Sequence, residues 1–304
     1  MSSRLIACLF FAAVITRAQP KLYEAVEPHM GTLFKIQLYA NRPEDARVAF
    51  ALAFARIAQL DNTLSDYNPS SELSRVCRTA VRKPVRVSDE LYTVLQASQD
   101  LAYQTDGAFD ITVGPLTRLW REARKTAQVP DASAIAAAKA KTGYRKLHLD
   151  GVTHQMLLDE REMRLDVGGI AKGYAADQAL ALIGMRGIRS ALVAASGDLA
   201  FSDPPPGKKG WSIALPSGKT LLLRNAAVST SGDTEQHLDA GGKRYSHILN
   251  PGTGQALTSA GIVTVIAPKG IEADALATML DVIGEERGMR YLKDRKGVSA
   301  IFSR

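Results

Sequence analysis

The sequence predicts an α+β fold, on three observations. Short strand-like stretches and amphipathic helical stretches both occur, but they do not follow one another in the steady alternation that a doubly wound parallel sheet requires. A composition of 46% apolar and 23% charged residues over 304 positions is that of a chain that folds around a core. No segment repeats at a fixed period, and the one loop-like break, DPPPGKKG at 203–210, reads as an exposed turn within a single domain spanning 19–304.

The elements follow in order. Phe34, Ile36 and Leu38 alternate with Lys35 and Gln37, the two-residue period of a half-buried strand over 33–39. From about 43 to 64, Ala46, Phe50, Ala53, Ile57 and Leu60 recur at helical spacing. Ser88 is placed to cap a second helix, with Asp89 and Glu90 where the dipole favours acid, running to about 105. A third, alanine-rich helix covers 131–141. Strands then dominate, at 146–149, 155–158, 163–167, 191–195, 211–215, 220–224, 262–266 and 298–302. Helices over 170–185 and 272–292 interrupt them.

The first residues are of another kind. Arg4 precedes an apolar stretch over 5–15, and small residues surround a cut after Ala18, so 1–18 reads as a secretory signal peptide. The apolar run is too short to span a bilayer. Leu5-Ile6-Ala7-Cys8 imitates a lipoprotein cleavage box, but no hydrophobic segment precedes the cysteine. The expectation is a soluble exported protein of the periplasm or cell envelope, working close to the membrane surface. Its formal charge of +7 comes from scattered Lys and Arg, with Lys208-Lys209 and Arg145-Lys146 only pairs, and no run interleaves them with aromatics as a nucleic-acid groove would. With Cys8 removed, Cys77 is alone and can form neither an internal disulfide nor a cysteine metal cluster.

Several stretches carry more polar and turn-forming residues than a core needs. In LDVGGIAKGYAADQAL, 165–180, a strand ends at Asp166, two glycines turn the chain and a helix begins, which puts backbone N–H groups and a positive dipole end where a phosphate could sit. The stretch matches neither GxGxxG nor GxxxxGK, and taken alone an ordinary strand-to-helix turn capped by Asp is the commoner explanation. TDGAFDITVGPL, 105–116, gathers Asp106, Asp110, two glycines and a proline around Phe109. SDYNPSSEL, 65–73, holds Tyr67 in a loop, as a stacking platform or as a ring folded back on the core. YSHILNPGTG, 245–254, sets His247 beside a Pro-Gly turn, and a lone histidine is more often structural than catalytic. In EADALATML, 272–280, Asp274 and Thr278 stand four apart, so a carboxylate and a hydroxyl share one helix face, a pair of hard oxygens that suits Mg²⁺. The alternative is ordinary: a first-turn Asp on the dipole and a Thr bonded back to a carbonyl.

Taken in series, HMGTLFKI, LSDYNPSSELSRV, GAFDITVGPL, LDVGGIAKGYAAD, SGD, VSTSGD, HILNPGTG and ADALATML, spanning 30–281, resemble the motifs of the ApbE family of FAD:protein FMN transferases. The resemblance implies one compact α+β unit with two sheet-bearing lobes, flanking helices and an FAD cleft between the lobes. It implies that Met30, Tyr67, Ala108, Phe109, Asp110, Asp166, Lys172 and Ile248 hold FAD. By the same resemblance Gly169, through its carbonyl, with Asp274 and Thr278 binds Mg²⁺, and His247 is the catalytic histidine. Asp166, Lys172, His247 and Asp274 should then meet in one cleft.

The residue types are coherent with the activity that this resemblance implies. Moving FMN from FAD onto a Ser or Thr hydroxyl is a phosphoryl transfer with AMP leaving, in which a metal ion neutralises phosphate oxygens and an imidazole takes the alcohol's proton. The acceptors implied are exported or membrane redox proteins bearing a flavinylation motif, such as subunits of sodium-pumping or Rnf-type complexes. Asn250 departs from the family pattern, where Asp is common, and removes a charge near His247. Two other readings stay open: an FAD pyrophosphatase in which water replaces the hydroxyl, and a non-catalytic FAD-binding protein.

Overall fold

A computed structural model of the chain describes residues 19–232, 237–258 and 261–303. The expected signal peptide, 1–18, lies outside the described residues, as does Asp233 of the VSTSGD motif. The first strands are β1 (Lys21–His29), β2 (Thr32–Ala40) and β3 (Val85–Arg86), and the first helices α1 (Pro43–Leu64), α2 (Glu72–Thr79) and α3 (Asp89–Gln104). Next come α4 (Gly114–Thr126), α5 (Ala132–Lys139), β4 (Leu147–Asp150), β5 (Gln155–Leu158) and α6 (Ala171–Met185). The second half holds β6 (Ala191–Ala195), β7 (Asp198–Phe201), β8 (Trp211–Ala214), β9 (Thr220–Leu223), β10 (Ala226–Ser231), β11 (His237–Ala240) and β12 (Lys243–Ser246). It closes with β13 (Ile262–Ala267), α7 (Gly270–Leu292) and β14 (Ser299–Ser303). None of these helices is long and apolar enough to cross a membrane.

The α+β expectation holds, and the sheet is wholly antiparallel. Seven strands lie in the order β1-β2-β6-β7-β10-β13-β14, and a three-stranded sheet β3-β5-β4 and the hairpins β8-β9 and β11-β12 stand apart from them. Period-two alternation gives the large sheet two apolar faces. Phe34, Ile36, Leu38, Ala191, Val193, Ala195, Val263 and Val265 point to one face, where α1, α6 and α7 pack in the main core. Leu192, Phe201 and Val228 point to the other, where Trp211, Ile213 and Leu215 of the β8 hairpin cover them.

Caps fix the helix starts. Ser88 accepts from the Leu91 N–H at 3.3 Å, as the sequence predicts, and Asp131 accepts from the Ala134 N–H at 2.8 Å. α7 has no cap of its own at Lys269. Asp177 of α6 supplies one, accepting the Gly270 and Ile271 N–H groups at 2.7 and 3.0 Å. α7 also breaks its helical path at Gly284, whose φ is 76°.

The strand expected over 163–167 is absent. Met163, Leu165 and Val167 are buried with the alternation of a strand, but the backbone pairs only through an isolated bridge from Arg164 to Val113. The Leu165 N–H goes to Cys77 Sγ at 3.4 Å and the Asp166 N–H to the Ile111 carbonyl at 2.7 Å. Burial there is set by side chains against neighbouring loops, with no ladder beside it. Cys77 is buried, and burial pushes its thiol up, so it packs as a small apolar residue.

The contact that positions the site is the crossing of α6 and α7. A Cβ added at Gly173 would lie 2.1 Å from the Gly270 carbonyl oxygen, a backbone atom that cannot step aside. Gly173→Ala is expected to lower stability by about 3 kcal/mol through overpacking, seen as a fall in the denaturation midpoint with unchanged slope. A midpoint within error of the parent would show that the two helices separate freely.

Candidate active site

Segments distant in sequence converge on one cavity of about 870 Å³. All twelve residues that the sequence singles out line it: Met30, Tyr67, Ala108, Phe109, Asp110, Asp166, Gly169, Lys172, His247, Ile248, Asp274 and Thr278.

Met30 sits at the β1-β2 turn with φ 49°, followed by Gly31 at 73°. Positive φ is costly for methionine, and its N–H is held by Asp61 Oδ2 at 2.8 Å. The 65–71 loop is tied down by Ser71, which caps α2 at the Ser74 N–H (3.0 Å) and donates to the Ser65 carbonyl at 2.5 Å. Tyr67 projects from that loop with 71% of its surface exposed. Arg121 of α4 covers one face of its ring at 3.9 Å, and Tyr67 lines the cavity. The same guanidinium pairs with Asp66 and, at 3.0 Å, with Asp166 Oδ2. Burial and then Asp166 push the Asp66 carboxyl up, against the pull of Arg121. Arg121 therefore joins the Tyr67 loop to the Asp166 turn.

The 108–112 loop is organised from within. Asp110 is buried and accepts from both the N–H and the hydroxyl of Thr112, at 2.8 and 2.7 Å. Burial raises its carboxyl despite those bonds. Phe109 is buried beside it.

Asp166 does not cap α6. Its Oδ1 accepts the Gly168 N–H at 2.9 Å, an Asx turn that bends the chain into the glycine pair. A Cβ at Gly169 would meet Thr278 Oγ1 at 2.8 Å, so the Gly169 backbone and the Thr278 hydroxyl are neighbours. One turn earlier on α7, Asp274 is buried and its Oδ2 accepts the Gly173 N–H at 3.0 Å.

Lys172 lies between two carboxylates, 2.9 Å from Asp198 Oδ2 and 3.7 Å from Asp274 Oδ1. Burial works against its charge, but Asp274 and then Asp198 outweigh it and hold the ammonium above its ordinary value. Burial, and then Asp198, push the Asp274 carboxyl up to about 7, against Lys172 and the Gly173 N–H. Two buried acids thus share one ammonium.

His247 is exposed at the cavity wall, between the buried Ser246 and Ile248. The strand around it is pinned: Ser246 N–H to the Leu257 carbonyl at 2.7 Å, and Leu257 N–H to the Ile248 carbonyl at 2.9 Å. Asn250 Oδ1 accepts the Thr253 N–H at 3.1 Å, so it shapes the Pro-Gly turn by an Asx bond that Asp would make equally. From below, Trp120 of α4 donates to the Gly254 carbonyl at 3.0 Å.

Sequence reasoning missed Asp198, Asp61, Asp66 and Arg121. Asp198 stood inside the quoted SGD without a role, and its partners, Lys172 and the Ser229 hydroxyl, are distant in sequence. Arg121 offered no signal, because α4 itself was hidden behind Gly114-Pro115.

The ApbE family model matches residues 30–302. A Treponema pallidum protein named FAD:protein FMN transferase is 31% identical, over 94% of this chain and 85% of its own. An Escherichia coli K12 protein of the same name is 32% identical, over 97% of this chain and 89% of its own. The crystal structure of Pseudomonas stutzeri flavinyl transferase ApbE in its apo form superposes with a TM-score of 0.82 at 32% identity, covering 93% of this chain and 91% of that one.

Proposed function

Because the chain belongs to the ApbE family, we propose that it is an FAD:protein FMN transferase, moving FMN from FAD to a Ser or Thr hydroxyl of an acceptor redox protein and releasing AMP. One observation carries this reading: His247, Asp166, Lys172 and Asp274 face one cavity of a size suited to a dinucleotide.

FAD is the substrate. The acceptor oxygen bonds to the phosphorus on the FMN side, the bond from that phosphorus to the bridging oxygen breaks, and AMP leaves with the electron pair. The hydroxyl proton passes to the exposed imidazole of His247, held at the cavity wall by its pinned strand. Tyr67, largely exposed, offers an aromatic surface to a flat ring, and Phe109, Ile248, Met30 and Ala108 supply apolar lining. Asp110 orders its loop through Oδ1, which takes both Thr112 bonds. Lys172 keeps positive charge beside the phosphates while neutralising Asp198 and Asp274.

The donor chemistry suits Mg²⁺. Asp274, the Thr278 hydroxyl and the Gly169 carbonyl would hold it, one carboxylate with two neutral hard oxygens. Asp274 and Asp198 face the single ammonium of Lys172, two carboxylates to one positive charge, which favours a further cation. Among the described residues no three His, Cys, Asp or Glu gather as a metal cluster, so water and phosphate oxygen would complete an octahedron. When bound, the ion would neutralise phosphate oxygens and the charge that develops as AMP leaves. The leader-like 1–18 supports acceptors that are themselves exported or membrane-embedded.

Nucleotide analysis after incubation with FAD, Mg²⁺ and an acceptor tests the reading. AMP without matching free FMN is the expected result. Equal AMP and free FMN would make the protein a pyrophosphatase, and surviving FAD a binder. Arg121→Ala is expected to weaken FAD binding on the order of tenfold, by freeing Tyr67 and Asp166, with Arg121→Lys recovering only part because it cannot make the planar double contact. Flavin fluorescence titration reads both, and unchanged affinity in Arg121→Ala would remove the tie.

A further inference from the structure

Beside Tyr67 a second concavity of about 690 Å³ opens between α2, α4 and Arg164-Leu165, sharing Asp66, Tyr67, Arg121 and Arg124 with the first. Arg78, Arg118, Arg124, Lys125 and Arg164 line it along with Arg121, against two carboxylates, Asp66 and Glu122. Both carboxylates are committed, Asp66 to Arg121 and Glu122 to Lys125 at 3.2 Å. Arg78 and Arg164 donate to the carbonyls of Pro69 and Met163, each at 2.9 Å. No salt bridge among the described residues gives Arg78, Arg118, Arg124 or Arg164 a carboxylate partner. α4 explains the gathering: Leu116, Trp120 and Ala123 turn to the core, and Arg118, Arg121 and Lys125 recur at helical spacing on the other side.

We propose that this groove docks an acidic segment of the acceptor protein next to the hydroxyl that receives FMN. The proposal rests on the transfer reading above. Six basic side chains against two carboxylates repel one another, and an acidic chain relieves that repulsion while its complementarity sets register and selects the partner. The concave shape favours a peptide over a membrane, because Arg124 and Arg164 are half-buried in the groove and a flat anionic surface would not reach them. The wall shared with the first cavity carries Tyr67 and Arg121, so a segment lying in the groove runs on toward the reacting centre.

The test uses the full mature chain and the triple variant Arg78→Gln, Arg118→Gln, Lys125→Gln, whose three positions are exposed and outside the first cavity. The probe is a fluorescein-labelled peptide with a central threonine flanked by Asp and Glu, compared with its Asn and Gln counterpart by anisotropy. The parent should prefer the acidic peptide, the preference should fall with salt, and the variant should bind it roughly tenfold more weakly with unchanged FAD affinity by flavin fluorescence. Equal binding of the two peptides by the parent would overturn the proposal. So would a parallel loss of FAD affinity in the variant, which would assign the groove to the dinucleotide, or lost binding to phosphatidylglycerol vesicles with peptide binding unchanged, which would assign it to lipid. Transfer and docking fail separately. An unchanged acceptor KM in the variant removes the groove and leaves FMN transfer standing, whereas AMP release matched by free FMN removes the transfer reading while anisotropy still reads the groove.

Discussion

His247→Ala is expected to keep FAD bound and lose FMN transfer by on the order of 10²- to 10⁴-fold. The side chain is exposed at the cavity wall, while its backbone is fixed by its neighbours: Ser246 and Leu257 pair at 2.7 Å, and the Ser246 hydroxyl accepts the Ile248 N–H at 3.1 Å. Truncation at Cβ therefore removes an imidazole from the cavity wall while the backbone bonds on either side of it stay in place. FAD affinity, read by flavin fluorescence, should stay near that of the parent while turnover falls. The defect should shrink as pH rises, because hydroxide can take the proton that His247 no longer takes. A buried histidine bracing the Asn250 turn would behave otherwise, losing stability and FAD affinity together. That turn is instead braced by Asn250 itself, through the Thr253 N–H at 3.1 Å. Unimpaired turnover at neutral pH would exclude His247 as the base.

Asp274→Ala is expected to abolish transfer and also to destabilise the fold by about 1–3 kcal/mol. Read from sequence, Asp274 is a helix-surface carboxylate whose loss leaves the fold intact. The structure corrects this: Asp274 is 3% exposed and accepts the Gly173 N–H at the α6-α7 crossing. Alanine leaves that N–H without its partner in the core. Asp274→Asn separates the two roles, since an amide oxygen still accepts from Gly173 but carries no charge for a metal ion or for Lys172. The asparagine variant should melt near the parent and transfer no FMN at limiting Mg²⁺, while Thr278→Ala should be milder because water can replace a neutral ligand. Transfer at the parental rate by Asp274→Asn would remove the metal-site assignment.

Where the apolar period was clean, the fold was legible in the sequence. Phe34, Ile36 and Leu38 gave β2 its face, and the spacing of Ala46, Ala53, Ile57 and Leu60 gave α1 its bounds at Pro43 and Leu64. Segments whose order depends on distant partners were not. β7 and β10 are short and carry Asp198 and Ser229 toward the helices, so neither reads as an apolar run. α4 starts at Gly114-Pro115, which signals a turn until the proline is placed in the first turn of a helix, where its missing N–H costs nothing. At 163–167 the alternation was real and the strand was not, because period reports burial and not hydrogen bonding.

The site divides in the same way. Each motif was visible, and the twelve residues they named do meet in one cavity. Their meeting depends on contacts that no single motif contains: Gly173 against Gly270, Asp177 on the α7 N-terminus, and Arg121 between two loops. The basic groove is the extreme case. Arg78, Arg118, Arg124 and Arg164 look scattered along the chain and become one feature only when α2 and α4 fold beside Arg164.

The most direct test of the account is the intact mass of an acceptor domain carrying a flavinylation motif after incubation with the protein, FAD and Mg²⁺. The predicted result is a mass increase of one FMN less one water, confined to the motif hydroxyl, absent from an acceptor whose threonine is changed to valine, and absent with His247→Ala at neutral pH. An unmodified acceptor beside stoichiometric free FMN and AMP, or a modification that His247→Ala makes at the parental rate, would contradict it.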